Sequence, residues 1–207
     1  MITNVDDFKK DEEISCGAFS YVFKGSLRGI PVAIKVAKDE GRKSIHRELK
    51  IYDKISHPNI LEPKGVHFVK DDNAEFVEIS DFGCSIDLER DYEIKFLCTE
   101  SHISYEILKS RKLPNVITPV SKASDVWAFA VTMWQIFEKT HLLPIDFCKE
   151  GDIIKNYETG KKLPIPATVS EDFWRYILLP CFDLHPKARP SMEDLHKSLI
   201  SMLYTFV

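Results

Sequence analysis

The sequence predicts an α+β fold, with a small β-rich N-terminal lobe carrying one helix and then a mostly helical C-terminal lobe. Two observations carry this. Short β-branched and aromatic runs come first, and long apolar stretches of helical character come last. The size agrees, because 207 residues, 44% of them hydrophobic, can bury one substantial core or two small ones.

From Glu12 to Lys38, "EEISCGAFSYVFKGSLRGIPVAIKVAK" holds two strand-like runs broken by the turn-like "RGIP", which predicts three short antiparallel strands. "GRKSIHRELKIYDKI" then sets Ile45, Leu49, Tyr52 and Ile55 at helical spacing, and the proline of "SHPN" disfavours continuation. Two further strand candidates, "VHFV" and "EFVEI", flank the turn-rich "KDDN". Residues 84–120 show little periodicity and read as mostly loop. "SKASDVWAFAVTMWQIFEK" is nearly apolar through its middle, the composition of a helix buried on several sides. "SEDFWRYILLPCF" predicts a helix ending near Pro180, and "SMEDLHKSLISML" one opened by a capping box of Ser191 and Asp194.

Composition narrows the function classes. The formal charge is −4, with 28 Lys and Arg interleaved among 32 Asp and Glu, so no basic stripe points to nucleic acid. Five cysteines without a CxxC pair predict a reducing compartment and no structural zinc. The seven histidines show no HExxH or comparable metal-ligand spacing. "MITNVDDFKKDEE" is unlike a signal peptide, and "VWAFAVTMW" is too short to span a bilayer. These readings predict a cytoplasmic protein without a membrane partner. Trp127, Trp134 and Trp174 fall at helical positions and read as core.

Three groups point to phosphate chemistry. Lys35 in "VAIK" shares a strand face with Ala33, and its ammonium could meet phosphates as an orientable point charge. Glu48 on the following helix could orient it through an ion pair. Asp81 in "ISDFG" could hold Mg²⁺, a hard cation that prefers carboxylate and phosphate oxygen. Taken singly, each is also an ordinary surface or turn residue.

Their order changes the reading. "VAIK", "RELKIYDKISHPNI", "ISDFG", "SDVWAFAVTMWQIFE" and "HPKARPSMEDL" together resemble a protein kinase domain of the tyrosine-kinase-like group, nearest mixed-lineage and zipper-bearing Ser/Thr kinases. The resemblance runs from about Phe8 to the end. It implies a truncated kinase-like fold with an N-lobe remnant over 8–80, including a strand–turn–strand. An Asp-Phe-Gly and activation-segment-like loop follows over 81–120, and a helical C-lobe remnant over 121–207. It implies that Lys35 contacts ATP phosphates, that Glu48 orients Lys35, and that Asp81 holds Mg²⁺. Gly17 and Val22 match the glycine-rich loop and Ala33 the strand beneath it, while Phe82 and Gly83 complete the Asp-Phe-Gly. Glu106 would pair with Arg189 of "KARP". Asp125 would bind backbone amides of a catalytic loop. Ser85, Tyr92, Thr99, Ser101 and Ser104 fall in the activation-segment match as phosphorylation candidates.

The departures are as informative. "SCGAFSYV" places Ser15, Gly17 and Ser20 in the three glycine positions, so only the middle one is kept. The family's Ala-Pro before Glu106 is Ser104-Tyr105 here. Residues 61–80 are too few for the hinge, two large-lobe helices and catalytic loop that the family carries between "HPNI" and "DFG". No His-x-Asp tripeptide occurs anywhere in the chain. The catalytic Asp and the Asn for a second Mg²⁺ are both missing, so no residue is assigned as catalytic.

The resemblance therefore implies a catalytically impaired pseudokinase with weakened or absent ATP and Mg²⁺ binding. It would act as a signalling scaffold on another protein, such as a full kinase. Two alternatives are a fragment or splice variant of an active Ser/Thr protein kinase, and residual phosphotransfer by Lys35, Glu48 and Asp81. An exposed apolar patch on the central helix is a further expectation, since its usual neighbours are missing.

Overall fold

The computed structural model describes residues 7–17, 20–60, 82, 85–86, 88, 100–113, 120–144, 147 and 153–205, with backbone alone at 40 and 42–46. The chain divides into two compact units, Met1–Asp91 and Tyr92–Val207. The first is sheet and helix, and the second helical, as an α+β kinase-like fold requires.

In the first unit, β1 (Phe8–Cys16), β2 (Ser20–Leu27) and β3 (Ile30–Ala37) form an antiparallel sheet in the order β1-β2-β3. β1 begins four residues before the predicted strand. Its "FKKDEE" carries charge where a strand signal would be apolar, because β1 is an edge strand whose residues from Lys9 onward are exposed. Charged side chains on such an edge discourage pairing with another chain. Register shifts between Lys10 and Glu13 and between Glu13 and Ser15 irregularise it further.

The hairpin joining β2 to β3 is a two-residue turn, with Leu27 paired to Ile30. Both central residues have positive φ, 51° at Arg28 and 80° at Gly29, the conformation whose twist suits a tight hairpin. Gly29 takes it freely. Arg28 is tied by its guanidinium to Asp7 at 2.8 Å and by its N–H to the Asp7 carbonyl at 2.9 Å. Gly25 is needed for space instead, since a Cβ there would come within 2.4 Å of the Lys9 carbonyl and of Ile34 Cδ1.

α1 (Arg42–Tyr52) follows β3, and Ile55 lies beyond its end rather than on it. The strand candidates "VHFV" and "EFVEI" lie outside the described residues.

The second unit holds α2 (Tyr105–Arg111), α3 (Lys122–Glu138), α4 (Ile153–Glu158), a composite helix and α6 (Met192–Thr205). α2 is a short helix inside the 84–120 segment, which the sequence predicts to be mostly loop. Seven residues are too few to display periodicity, yet Ile107 and Leu108 are buried. α4 escaped prediction for the same reason. The composite helix opens as α5 (Glu171–Phe173), passes through a π-helical stretch (Trp174–Leu178) and closes as a 3₁₀ turn (Leu179–Phe182). It ends near Pro180 as expected, closing at Phe182, and Pro180 is accommodated in the first turn of the 3₁₀ segment.

α3 is the axis of the core. Val126, Trp127, Ala130, Val131 and Trp134 are buried against Tyr157, Trp174, Ile177 and Phe182. The Trp127 ring meets Tyr157 and Phe182 edge-on, at centroid separations of 4.8 and 5.4 Å. Trp134 Nε1 donates to the Pro164 carbonyl at 2.8 Å. Among the large apolar residues of α3 only Ile136 is exposed, so the helix does not present the patch expected of it. The predicted capping box of α6 is formed: Ser191 N–H donates to Asp194 Oδ2 at 3.1 Å and Asp194 N–H to Ser191 Oγ at 3.1 Å.

Candidate functional site

The sheet register brings the candidate nucleotide-binding residues onto one face. Val22 is paired with Lys35 across β2 and β3, and directly paired residues share a face. Ala33 is two residues from Lys35 and joins that face. The arrangement is an apolar shelf ending in an ammonium group. Gly17 begins the β1–β2 loop, with its N–H donating to the Ser20 carbonyl at 2.9 Å.

Lys35 is oriented. Its Nζ donates to Glu48 Oε2 at 3.0 Å, and the Glu48 side chain is 0% exposed. The second carboxylate oxygen is used as well, because the Phe82 N–H donates to Glu48 Oε1 at 2.6 Å. A buried carboxylate needs both a cation and hydrogen bonds to offset its desolvation, and Glu48 has each. The Phe82 ring packs edge-on against Tyr52 of α1, with centroids 5.2 Å apart. Strand Lys, helix Glu and the Asp-Phe-Gly backbone are thus joined within the first unit. Asp81 and Gly83 lie outside the described residues, as do Tyr92 and Thr99. The described residues fit the phosphate-facing part of an ATP site.

The second unit carries its own charged centre. Arg189 grips Glu106 with two parallel bonds, Nη1 to Oε1 at 3.1 Å and Nη2 to Oε2 at 2.6 Å. Its remaining donors reach the Ala123 carbonyl at 2.8 Å from Nη1 and the Asp183 carbonyl at 2.8 Å from Nε. The guanidinium also lies 4.9 Å from the Trp127 ring centroid. Sequence reasoning reached the ion pair and missed the carbonyl and ring contacts, which no motif spacing encodes.

Ser104 and Tyr105, standing where the family has Ala-Pro, are both engaged. Ser104 Oγ donates to Glu106 Oε1 at 2.7 Å, beside a second donation from Ser124 Oγ at 3.2 Å. Tyr105 OH donates to Glu158 at 2.8 Å, and Lys109 Nζ donates to both partners at 2.8 and 2.9 Å. Ser104 is only 1% exposed, which argues against it as a phosphorylation site in this conformation. Ser101 is half-buried with its hydroxyl 3.0 Å from His102 Nδ1. The half-buried Ser85 donates its N–H to the Phe82 carbonyl at 2.9 Å.

Electrostatics separates the carboxylates. Burial by itself raises the Glu106 carboxyl, but hydrogen bonds from Arg189 and Ser104 outweigh it and leave its pKa lowered. Asp125 moves the other way, raised by desolvation with no donor opposing it among the described residues. Its side chain remains accessible to water, so that rise reflects partial desolvation. His102 is lowered, chiefly by burial.

These directions give a pH dependence. Glu106 contributes stability fully above its unfolded value of about 4.3, and that contribution is lost as pH falls through the lowered folded value. His102 acts earlier, because below about 6.5 the unfolded chain binds a proton that the fold resists. Asp125 opposes both weakly. Denaturant midpoints measured from pH 7 to pH 3 should therefore fall in two stages, and a flat profile would contradict the two shifts.

Comparison with known proteins places the chain in context. The family model described as protein tyrosine and serine/threonine kinase matches residues 8–74 and 68–199. Ephrin type-A receptor 5 of Rattus norvegicus is 25% identical over 206 residues, covering 97% of this chain and 18% of that protein. Discoidin domain-containing receptor tyrosine kinase B of Caenorhabditis elegans is 31% identical over 140 residues, 62% of this chain and 17% of that protein. Tyrosine-protein kinase sid-3 of C. elegans is 26% identical over 170 residues, 80% of this chain and 12% of that protein. The chain therefore spans less than a fifth of the length of these relatives. No described helix is long and apolar enough to cross a membrane.

Proposed function

The chain belongs to the protein tyrosine and serine/threonine kinase family, and from that membership we propose that it is a catalytically impaired, kinase-like protein acting through protein contact on a kinase or another signalling component. Family members use ATP and Mg²⁺. One observation carries the impairment: the chain has no His-x-Asp tripeptide, and residues 61–80 are too few for the hinge, two large-lobe helices and catalytic loop together. Phosphoryl transfer depends on positioning and charge stabilisation, and a chain without the base and second-metal Asn lacks two of its parts.

The Lys35–Glu48–Phe82 connection supports a retained ability to engage nucleotide phosphates, weakened by Ser15 and Ser20 in the loop. The tyrosine-kinase names of the relatives favour a tyrosine-kinase ancestry, while nearness to the tyrosine-kinase-like group, with its mixed-lineage and zipper-bearing Ser/Thr kinases, rests on Thr99 and the motif text alone. A second reading, a splice variant of an active kinase, is favoured by the family match breaking into two pieces that overlap over 68–74. A transcript carrying an insert near 65–67 would establish that reading.

The test is thermal unfolding of the purified chain with and without Mg-ATP, beside Lys35→Ala. Ligand binding to the native state raises apparent stability, by about 2.7 kcal/mol at a hundredfold excess over Kd. A rise in the parent chain that Lys35→Ala loses, without phosphate transfer to a generic substrate, is the expected result. Transfer to substrate would overturn the impairment. A cooperative transition indifferent to ATP would remove nucleotide binding and leave the protein-contact role.

A further inference from the structure

We propose that Cys16 and Lys38 form a peroxide-sensitive pair that closes into a reversible sulfur–nitrogen cross-link over the loop end of the sheet. Cys16 is the last residue of β1 and is exposed. Lys38 follows β3, and its Nζ lies 3.2 Å from Cys16 Sγ. The approach is built from three directions. The same ammonium donates to the Gly17 carbonyl at 2.7 Å and sits 4.5 Å from the Tyr21 ring centroid. Tyr21 is paired with Cys16 on one side and with Val36 on the other. The lysine therefore crosses the middle strand to reach the thiol, and the pair spans all three strands.

The chemistry follows from that placement. Thiols react with peroxides as thiolates, and the Lys38 ammonium 3.2 Å from Sγ sets a cation beside the charge that moves onto the departing oxygen. The thiolate attacks one peroxide oxygen, an S–O bond forms, the O–O bond breaks, and the other oxygen leaves as hydroxide. Sulfur is oxidised by two electrons and the peroxide is reduced. Lys38, its proton given to solvent, then attacks the sulfenic sulfur, forming S–N and breaking S–O, with water as the leaving group. Overall the protein loses two hydrogens. A thiol reductant attacks the sulfenyl sulfur and, with a second thiol equivalent, restores both residues. Cys181 supplies an internal contrast, since it is buried and its thiol is pushed up to about 12, chiefly by desolvation.

This inference rests on the sheet and holds whether or not nucleotide binds. The linked state would fix the mouth of the β1–β2 loop, the segment matching the family's phosphate loop. The test is peptide mapping by mass spectrometry after hydrogen peroxide treatment of the whole chain, with and without later dithiothreitol. The expected product joins the peptides of Cys16 and Lys38, is two hydrogens lighter than their sum, and disappears on reduction. Lys38→Arg should leave Cys16 as sulfenic acid that dimedone traps, and Lys38→Ala should slow its oxidation several-fold. Cys16→Ser should give no product. A Cys16 that resists peroxide, oxidises at the same rate in Lys38→Ala, or links to another cysteine or lysine would overturn the proposal. Matching circular dichroism spectra would show that the variants fold.

Discussion

Arg189→Ala is expected to destabilise the helical unit by about 3–5 kcal/mol, the cost of removing one partner from a buried, hydrogen-bonded ion pair. The Arg189 side chain is 0% exposed, and its loss strands three acceptors together. The Glu106 carboxylate would keep the Ser104 and Ser124 hydroxyls and a backbone N–H but no cation, and the Ala123 and Asp183 carbonyls would lose a donor each. Trp127 would also lose the guanidinium beside its ring. Arg189→Lys should rescue little, because an ammonium cannot reproduce two parallel bonds to a carboxylate while also reaching two carbonyls. Urea unfolding followed by far-UV circular dichroism measures the loss. A double-mutant cycle with Glu106→Gln should show strong non-additivity. A loss below about 1 kcal/mol would mean that the desolvation of the pair nearly cancels its attraction.

Glu48→Ala should be the most damaging change in the first unit, again about 3–5 kcal/mol. It removes at once the partner of Lys35, itself mostly buried, and the acceptor of the Phe82 N–H. Glu48→Gln separates the two roles. Its amide oxygen can still accept from Phe82, whereas the lysine loses the charge of Glu48. The glutamine variant is therefore expected to retain more stability than the alanine variant while losing the Mg-ATP stabilisation as completely as Lys35→Ala. Equal stability of the two variants would show that the backbone bond matters less than the charge.

Much of this could be read from the sequence, and the exceptions share causes. Strand and helix periods place Lys35 beside Ala33 and set the apolar stripe of the following helix, but it is the resemblance of "VAIK" and "RELKIYDKI" to family motifs that singles out Lys35 and Glu48 as a pair. The "KARP" arginine could be matched to Glu106 because family motifs carry long-range pairings that periodicity cannot. The start of β1 is not legible because an edge strand reads as polar, and α2 is not legible because its stability comes from the Glu106 network and two buried apolar residues. The Gly25 approach to Lys9 and the Cys16–Lys38 contact are cross-strand facts. They depend on register, which is settled only when all three strands pair.

The Glu106–Arg189 pair also has a consequence in time. Its members are 83 residues apart, so the pair closes a long loop whose entropy cost must be met before the bond forms. During synthesis α2 and α3 leave the ribosome well before Arg189 does, and Glu106 waits as a carboxylate without its cation. Arg189 thus emerges after α2 and α3 and locks α2 from behind, and a nascent chain interrupted short of Arg189 would reach quality control with that lock still open.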